Sequence, residues 1–231
     1  MHRPLLIGHR GARGLAPENT LLAMDAGIAA GCTWLEFDVQ RHPGGELFLL
    51  HDLTLDRTSN GHGLASACSW ATLRALDAGQ GQHIATLDEA LDLIDQRASV
   101  NIELKTWDGT AAAVADVLRA RLAEGWPASS FMVSSFHLPE LYEFKQLLPE
   151  VPVAVLLCGV PLDWAACASE LQAVALNQSV EFVDARLLAD AKARGLAVNV
   201  YTVNDADEYE RLAALGVDGV FTDVPDRLRQ I

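Results

Sequence analysis

Short apolar runs alternate with longer amphipathic ones along nearly the whole chain, and this rhythm constrains the fold more than any other feature. A short apolar run bounded by turn residues reads as a buried strand. The 3.6-residue period that follows it reads as a helix laid over that strand. Extended runs are expected at Leu5–His9, Trp34–Val39, Val100–Leu104, Phe131–Ser135, Val153–Leu157, Ala173–Leu176, Val198–Val203 and Val217–Thr222. Helices are expected from Asn19, as N-cap, to Gly31, and over Leu87–Gln96, Thr110–Glu124, Pro139–Leu148, Trp164–Leu171, Val183–Arg194 and Ala206–Leu215, with a short tail from Pro225. Gly31, Gly125, Gly195 and Gly216 stand where helices stop, as left-handed C-caps require. Eight strand-then-helix units without a long structureless linker predict an α/β protein, a (β/α)8 TIM barrel. The alternative is an open doubly wound sheet, which usually carries a GxGxxG loop after its first strand. Here GHRGARG lacks that spacing and runs into PEN, not directly into a helix.

Two pieces fall outside the rhythm. One is an extra extended segment, Leu47–His51. The other is Asp52–Ala85, which carries SNGHG, GLAS and the amphipathic stretch SWATLRALDAG, and is too long for a simple strand-to-helix loop. Residues 52–85 are therefore expected to form a small insertion over the active-site face, within a single domain spanning residues 1–231.

A formal charge of −14 excludes several function classes. Sequence-independent binding to nucleic acid needs Lys and Arg against phosphates, and a membrane-surface patch needs basic residues too. Neither partner is expected, so a small anionic substrate would rely on local cations. Cys32, Cys68, Cys158 and Cys167 form no CxxC pair and read as free thiols in a reducing compartment. The N-terminal stretch has no apolar run long enough for a signal peptide, and no run approaches a membrane span, so a cytoplasmic location is expected. The pattern does not separate a monomer from a homodimer.

The chemistry concentrates at the ends of strands. Glu36 and Asp38 lie two apart on one strand and share a face, with Leu35, Phe37 and Val39 on the other. In NIELK, Asn101, Glu103 and Lys105 likewise share the inward face, and Ile102 and Leu104 the outward one. Three inward carboxylates repel one another and lose hydration, and a divalent cation relieves both penalties. An all-oxygen donor set suits a hard ion, Mg2+ or Ca2+. Salt bridges to Arg10 and Lys105 are the structural alternative. His9 ends the first strand and His51 the extra segment, and a neutral imidazole is the commonest general acid or base near neutral pH. Zinc ligation by the two imidazoles is a competing role that an oxygen-rich site disfavours. His2, His42, His62, His83 and His137 lack acidic company and read as surface or structural. Arg10 and Lys105 are the cations available to a phosphate, or to the carboxylates themselves.

HRGARGLAPENT, EFDVQ, HDLTLDRTSNG, NIELK, YTVN and GVDGVFTD together resemble, in order, the motifs of the glycerophosphodiester phosphodiesterases. The resemblance covers nearly the whole chain. Intracellular bacterial members look closest, with Leu176–Asn177 and Tyr201 where other members often have LHP and Trp. The resemblance implies a TIM barrel, with residues 52–85 as the small insertion that marks the family. It also implies hydrolysis of a glycerophosphodiester to sn-glycerol 3-phosphate and an alcohol. It implies metal ligation by Glu36, Asp38 and Glu103, acid/base work by His9 and His51, and phosphate contact by Arg10 and Lys105. Tyr201 matches an aromatic position on the glycerol side of the pocket, and Ser135–Phe136 match the family's SF pair after the fourth barrel strand. No function attaches to Arg13. Two other readings stay open at this point: a phospholipase D-like or lysophospholipase D activity on lipid phosphodiesters, and a barrel that binds a phosphodiester without turning it over.

Overall fold

The computed structural model describes residues 3–230, so His2 lies outside the described residues. The strands are β1 (Leu5–Gly8), β2 (Trp34–Arg41), β3 (Leu47–Leu49), β4 (Ser99–Leu104), β5 (Phe131–Ser135), β6 (Val153–Leu157), β7 (Ala175–Ser179), β8 (Ala197–Tyr201) and β9 (Gly219–Thr222). The helices are α1 (Leu21–Ala29), α2 (Trp70–Ala75), α3 (Leu87–Ile94), α4 (Thr110–Ala123), α5 (Leu138–Leu147), α6 (Ala166–Glu170), α7 (Ala185–Ala193), α8 (Ala206–Leu215) and α9 (Pro225–Leu228). Eight parallel strands run in the order β1-β9-β8-β7-β6-β5-β4-β2, and β1 pairs with β2 to close the ring. This is the (β/α)8 barrel that the strand–helix rhythm predicts.

The extra segment has a geometric cause. Strand β1 ends at Gly8, whose partner on β2 is Leu35, so the later part of β2 has a free edge. Antiparallel β3 takes that edge, pairing Val39 with Leu49 and Arg41 with Leu47. The chain leaves β3 near the C-terminal rim of the barrel, and His51 follows two residues later.

Alternation along the strands sorts side chains as the pattern requires. Leu35, Phe37, Val39, Val100, Ile102 and Leu104 are buried in the apolar core between strands and helices. The opposite faces line the barrel interior, which is partly polar. Asn177 and Asn199 are register partners, and the Asn199 amide donates to Asn177 Oδ1 at 3.0 Å. Gly219 gives them room, because a Cβ there would lie 2.6 Å from Asn199 Oδ1. This polar interior explains why the strand expected at Ala173–Leu176 stops too early. Asn177, Gln178 and Ser179 look like loop residues but belong to β7.

Three helix starts also differ from expectation. Thr20, not Asn19, caps α1 by accepting the Ala23 N–H. Trp164 has φ 56°, outside the helical region, so α6 begins at Ala166. Asp184 accepts from the backbone of Arg186 and Leu187, which starts α7 at Ala185.

Residues 52–85 contain α2 and two short antiparallel bridges, Thr54 with Leu64 and Asp77 with His83. Leu55, Ala65, Leu73, Ala78 and Ile84 gather with Phe48 and Leu50 into a small apolar cluster separate from the main core. The segment reaches back to the loop after β1, where a Cβ on Gly79 would lie 3.0 Å from Pro17.

Candidate active site

The parallel register of β2 and β4 sets Asp38 opposite Glu103 and Glu36 opposite Asn101. Carboxylate oxygens of Glu36, Asp38 and Glu103 lie within 4.8 Å of one another, all on buried residues. Burial, together with the neighbouring Asp38, pushes Glu36 well above the usual carboxylate range and Glu103 up to about 7. Two cations flank the trio. Lys105 Nζ lies 2.7 Å from Glu103 Oε1 and 3.6 Å from Asp38 Oδ1. Arg10 Nε lies 3.4 Å from Asp38 Oδ2, while its Nη1 is 2.6 Å from Glu18. These cations leave the cluster unsatisfied: Glu36 Oε1 is buried with no hydrogen-bond partner. An orphaned carboxylate oxygen beside two further carboxylates fits a hard divalent cation.

The turn after β1 is built to approach this cluster. A Cβ on Gly8 would lie 2.0 Å from the Gly11 carbonyl oxygen, and one on Gly11, at φ 88°, 2.7 Å from the Ala23 backbone. The tight GHRG path holds Arg10 at φ 52° and points its backbone N–H at Glu36 Oε2, 2.9 Å away. Asn19 fastens the far end of the turn to β2. Its Nδ2 donates to Asp38 Oδ2 at 2.8 Å, and its Oδ1 accepts the Asp38 N–H at 3.1 Å. The residue expected to cap α1 is thus spent on orienting a carboxylate, and its neighbour Thr20 does the capping.

Each catalytic-candidate imidazole has a carboxylate on Nδ1. His9 Nδ1 is 2.7 Å from Asp223 Oδ1, across 214 positions of sequence, and His51 Nδ1 is 2.6 Å from Asp52 Oδ1. An ionised carboxylate on Nδ1 favours the tautomer with its proton there, which leaves Nε2 to exchange a proton with a substrate. Burial lowers the pKa of both imidazoles despite these partners. Burial opposes ionisation of Asp223, but hydrogen bonds from His9, Arg13 and Asn204 outweigh it and hold the acid below its ordinary range. Asn204 donates to Asp223 Oδ2 at 2.7 Å and accepts the Asp223 N–H at 2.8 Å.

The His51 side has its own frame. Gln40, buried on the same strand face as Glu36 and Asp38, donates to the carbonyls of Leu50 at 2.8 Å and Asp52 at 2.7 Å, on either side of His51. Arg57 donates to both oxygens of Asp52 and to both oxygens of Glu18, at 2.7 to 3.1 Å. Burial opposes ionisation of Glu18, yet Arg57 and Arg10 hold it down at about 2. A continuous chain of charge thus runs from His51 through Asp52, Arg57 and Glu18 to Arg10. Gln40→Ala should cost about 1–3 kcal/mol, because two carbonyls lose their donor in a half-buried setting. Chemical denaturation measures that loss, and a matching drop in turnover would show that the His51 segment has loosened.

A cavity of about 240 Å3 opens at this end of the barrel, and His9, Arg10, Glu36, His51, Glu103 and Tyr201 line it. Asp38 and Lys105 reach the same place through the carboxylate cluster, so the structure gathers every site residue that the sequence singles out. Tyr201 donates its hydroxyl to the Leu157 carbonyl at 2.8 Å, and Phe136 meets its ring edge-on. The remaining described histidines lie elsewhere: His42 bonds the Cys68 carbonyl, His62 pairs with Asp56 at the surface, His83 bridges to Asp77 in the 52–85 segment, and His137 caps α5. Glu18, Gln40, Asp52, Arg57, Asn204 and Asp223 went without assigned roles in the sequence, and Asn19 was expected only as a helix cap. All lie inside the quoted motifs, and for Gln40 the period of two from Glu36 was signal enough.

Comparison with known proteins places the chain in a family. Residues 9–227 match the model of the glycerophosphoryl diester phosphodiesterase family. A glycerophosphodiester phosphodiesterase of Caldanaerobacter subterraneus subsp. tengcongensis is 31% identical, the alignment covering 98% of this chain and 96% of that one. One from Bacillus altitudinis is 30% identical over 98% and 97% of the two chains. The solved structure of an Oleispira antarctica phosphodiesterase, in complex with the product sn-glycerol-3-phosphate, superposes with a TM-score of 0.90 at 32% identity, covering 99% of this chain and 96% of that one. The chain is an enzyme of the glycerophosphoryl diester phosphodiesterase family.

Proposed function

We propose that this enzyme hydrolyses glycerophosphodiesters, such as glycerophosphocholine or glycerophosphoethanolamine, to sn-glycerol 3-phosphate and an alcohol. The observation that carries this reading is the convergence of two imidazoles, three buried carboxylates and two cations on one cavity. Glu36, Asp38 and Glu103 would hold a divalent cation, Mg2+ or Ca2+. When bound, it would neutralise negative charge on the phosphodiester and so ease attack by an oxygen nucleophile.

The chain's own groups supply the rest. Arg10 and Lys105 bring positive charge to the phosphate, and Tyr201 lines the side of the cavity suited to the glycerol carbons. One imidazole takes the proton of the attacking oxygen, which is water or the substrate's own glycerol hydroxyl. The other gives a proton to the departing alkoxide. Asp223 and Asp52 keep each ring in the tautomer that this exchange needs, and steady the imidazolium that forms on the accepting one. Every group in the scheme comes from one chain, so a single barrel suffices.

Residues 52–85 belong in this reading as an insertion that carries Arg57, which braces Asp52 and Glu18 at the edge of the site. The cytoplasm is the place for the reaction. Free cysteines at positions 32, 68, 158 and 167 suit a reducing compartment, and no helix among the described residues is long and apolar enough to cross a membrane.

Incubation with glycerophosphocholine and Mg2+ or Ca2+ should release glycerol 3-phosphate, and a chelator should abolish the release. An enzyme-coupled assay for that product reads both arms. Undiminished release after chelation and dialysis would remove the cation from the scheme.

A further inference from the structure

We propose that Arg13 is a positioning residue for His9, acting through Asp223 and making no contact with the substrate. The inference rests on the reading of His9 as an acid or base, and it names the group that holds the ring to that task. An imidazole that moves a proton must keep Nε2 aimed at the reacting oxygen, so the acceptor on its Nδ1 must itself be fixed. Asp223 is that acceptor, and it lies just past the end of β9, where the strand ladder no longer holds the chain.

One oxygen of Asp223 serves two side chains. His9 Nδ1 lies 2.7 Å from Oδ1, and Arg13 Nε donates to the same atom at 2.7 Å. Asn204 donates to the other oxygen, Oδ2. Asn204 therefore sets the far side of the carboxylate, and Arg13 sets the oxygen on which the imidazole hangs. The loop after β1 is shaped for this. The Arg13 N–H donates to the His9 carbonyl at 3.3 Å, so residues 9 and 13 close a turn whose two side chains converge on Asp223. Gly14 donates its N–H to the Asp223 carbonyl at 2.9 Å, and a Cβ there would lie 2.6 Å from that oxygen. Backbone contact thus docks the loop, and the Arg13 side chain is left to orient the carboxylate.

The other imidazole has the same arrangement by a different route. Asp52 Oδ1 holds His51, and Arg57 Nη2 donates to that oxygen at 3.1 Å while its Nε donates to Oδ2 at 2.7 Å. Each His–Asp pair therefore ends in an arginine, one supplied by the loop after β1 and one by residues 52–85. Arg13 also lines the catalytic cavity, so direct contact with the phosphate is the competing role. The geometry favours positioning. Nε is the atom held at short range, and Nη1 approaches a second carboxylate of the frame, Glu18 Oε2, at 3.9 Å. Arg10 and Lys105 instead flank the Glu36–Asp38–Glu103 cluster, with which Arg13 makes no ion pair among the described residues. The Arg13 side chain is about one-third exposed, and an ion pair so placed adds little to stability, so the fold does not depend on it.

The test uses the full chain with glycerophosphocholine and saturating Mg2+, and turns on covalent length. Gln carries its amide nitrogen at the same bond from the backbone as Arg carries Nε, and Met carries a methyl there. Arg13→Met should lower kcat about tenfold with KM within about twofold, the low end of the range for partners behind a functional imidazole. Arg13→Gln, which restores the N–H without the charge, should recover most of that loss. In a His9→Ala background Arg13→Met should cost less than about twofold, because no ring is left to aim. Melting temperatures should stay near wild type throughout. Wild-type kcat in Arg13→Met, or a raised KM with Gln as poor as Met, would overturn positioning, the second result marking a phosphate ligand. A loss that persists in full without His9, or that follows a falling melting temperature, would overturn it as well. Near wild-type turnover by His9→Ala alone would instead overturn the reading of His9 on which the proposal rests.

Discussion

His9→Ala and His51→Ala should each slow hydrolysis of a glycerophosphodiester by about 10²–10⁴-fold, the usual range for a positioned acid or base. Neither change should unfold the barrel. Without the His9 ring, Asp223 still has Arg13 and Asn204; without the His51 ring, Asp52 still has Arg57. Circular dichroism and the melting temperature should therefore stay near wild type while kcat falls. The two variants should part company on a substrate with a p-nitrophenolate leaving group, which departs without being protonated. The variant that has lost the general acid recovers most of its rate there, and the variant that has lost the base does not. That comparison assigns the roles, which the near-equivalent His–Asp pairs leave symmetrical. Near wild-type turnover by either variant on the natural diester would sink the two-imidazole scheme, and so would equal losses by both on both substrates.

Without a bound cation the protein should lose stability as pH rises from about 5 to 8, and saturating Mg2+ or Ca2+ should cancel that loss. The sign follows from Glu36 and Glu103, whose pKa values burial and nearby Asp38 raise above the ordinary glutamate value. Such groups hold protons in the folded chain that the unfolded chain has released. Their contribution is fully present below the unfolded value of 4.5 and is lost as pH climbs through the folded value, about 7 for Glu103. At 1.36 kcal/mol per pKa unit, Glu103 alone accounts for on the order of 3 kcal/mol. A cation at a hundred times its dissociation constant returns about 2.7 kcal/mol, which is enough to offset it. Glu18 works the other way: held down at about 2, its contribution is lost only as pH falls below the ordinary carboxylate range. Melting curves across pH, with chelator and with cation, measure both limbs. Glu103→Gln should flatten the alkaline limb in chelator. A cation-free protein equally stable at both ends of the range would show that no strained carboxylate cluster exists.

The fold and the cluster were legible for the same reason. A parallel barrel imposes a period of two on every strand, so the inward carboxylates of EFDV and NIEL stood out against their outward apolar neighbours. Register then does what no single strand can show: pairing Asp38 with Glu103 turns two inward residues into adjacent ones. The supports were harder to see because their partners lie far along the chain. Asp223 follows an apolar strand like many surface acids, and only closure of β1 on β9 brings it to His9. Arg57 sits in a polar stretch that could equally be a solvated loop, and its meaning depends on Glu18, 39 positions earlier. Asn19 misled in an instructive way. Asn is a good helix cap by propensity, but Thr20 beside it is equally able, and β2 needed the amide more.

The pairing of the first strand with the last has a consequence for how the protein is made. All three members of the carboxylate trio have been synthesised once the ribosome has delivered β4, just before the chain is half finished. The His9–Asp223 pair exists only after the final strand has docked and the ring has closed. A nascent or truncated chain would therefore carry the acidic ligands without a properly held base or acid. The acidic cluster and the His9–Asp223 pair are thus assembled at different times, and the two meet in one cavity only on a finished barrel.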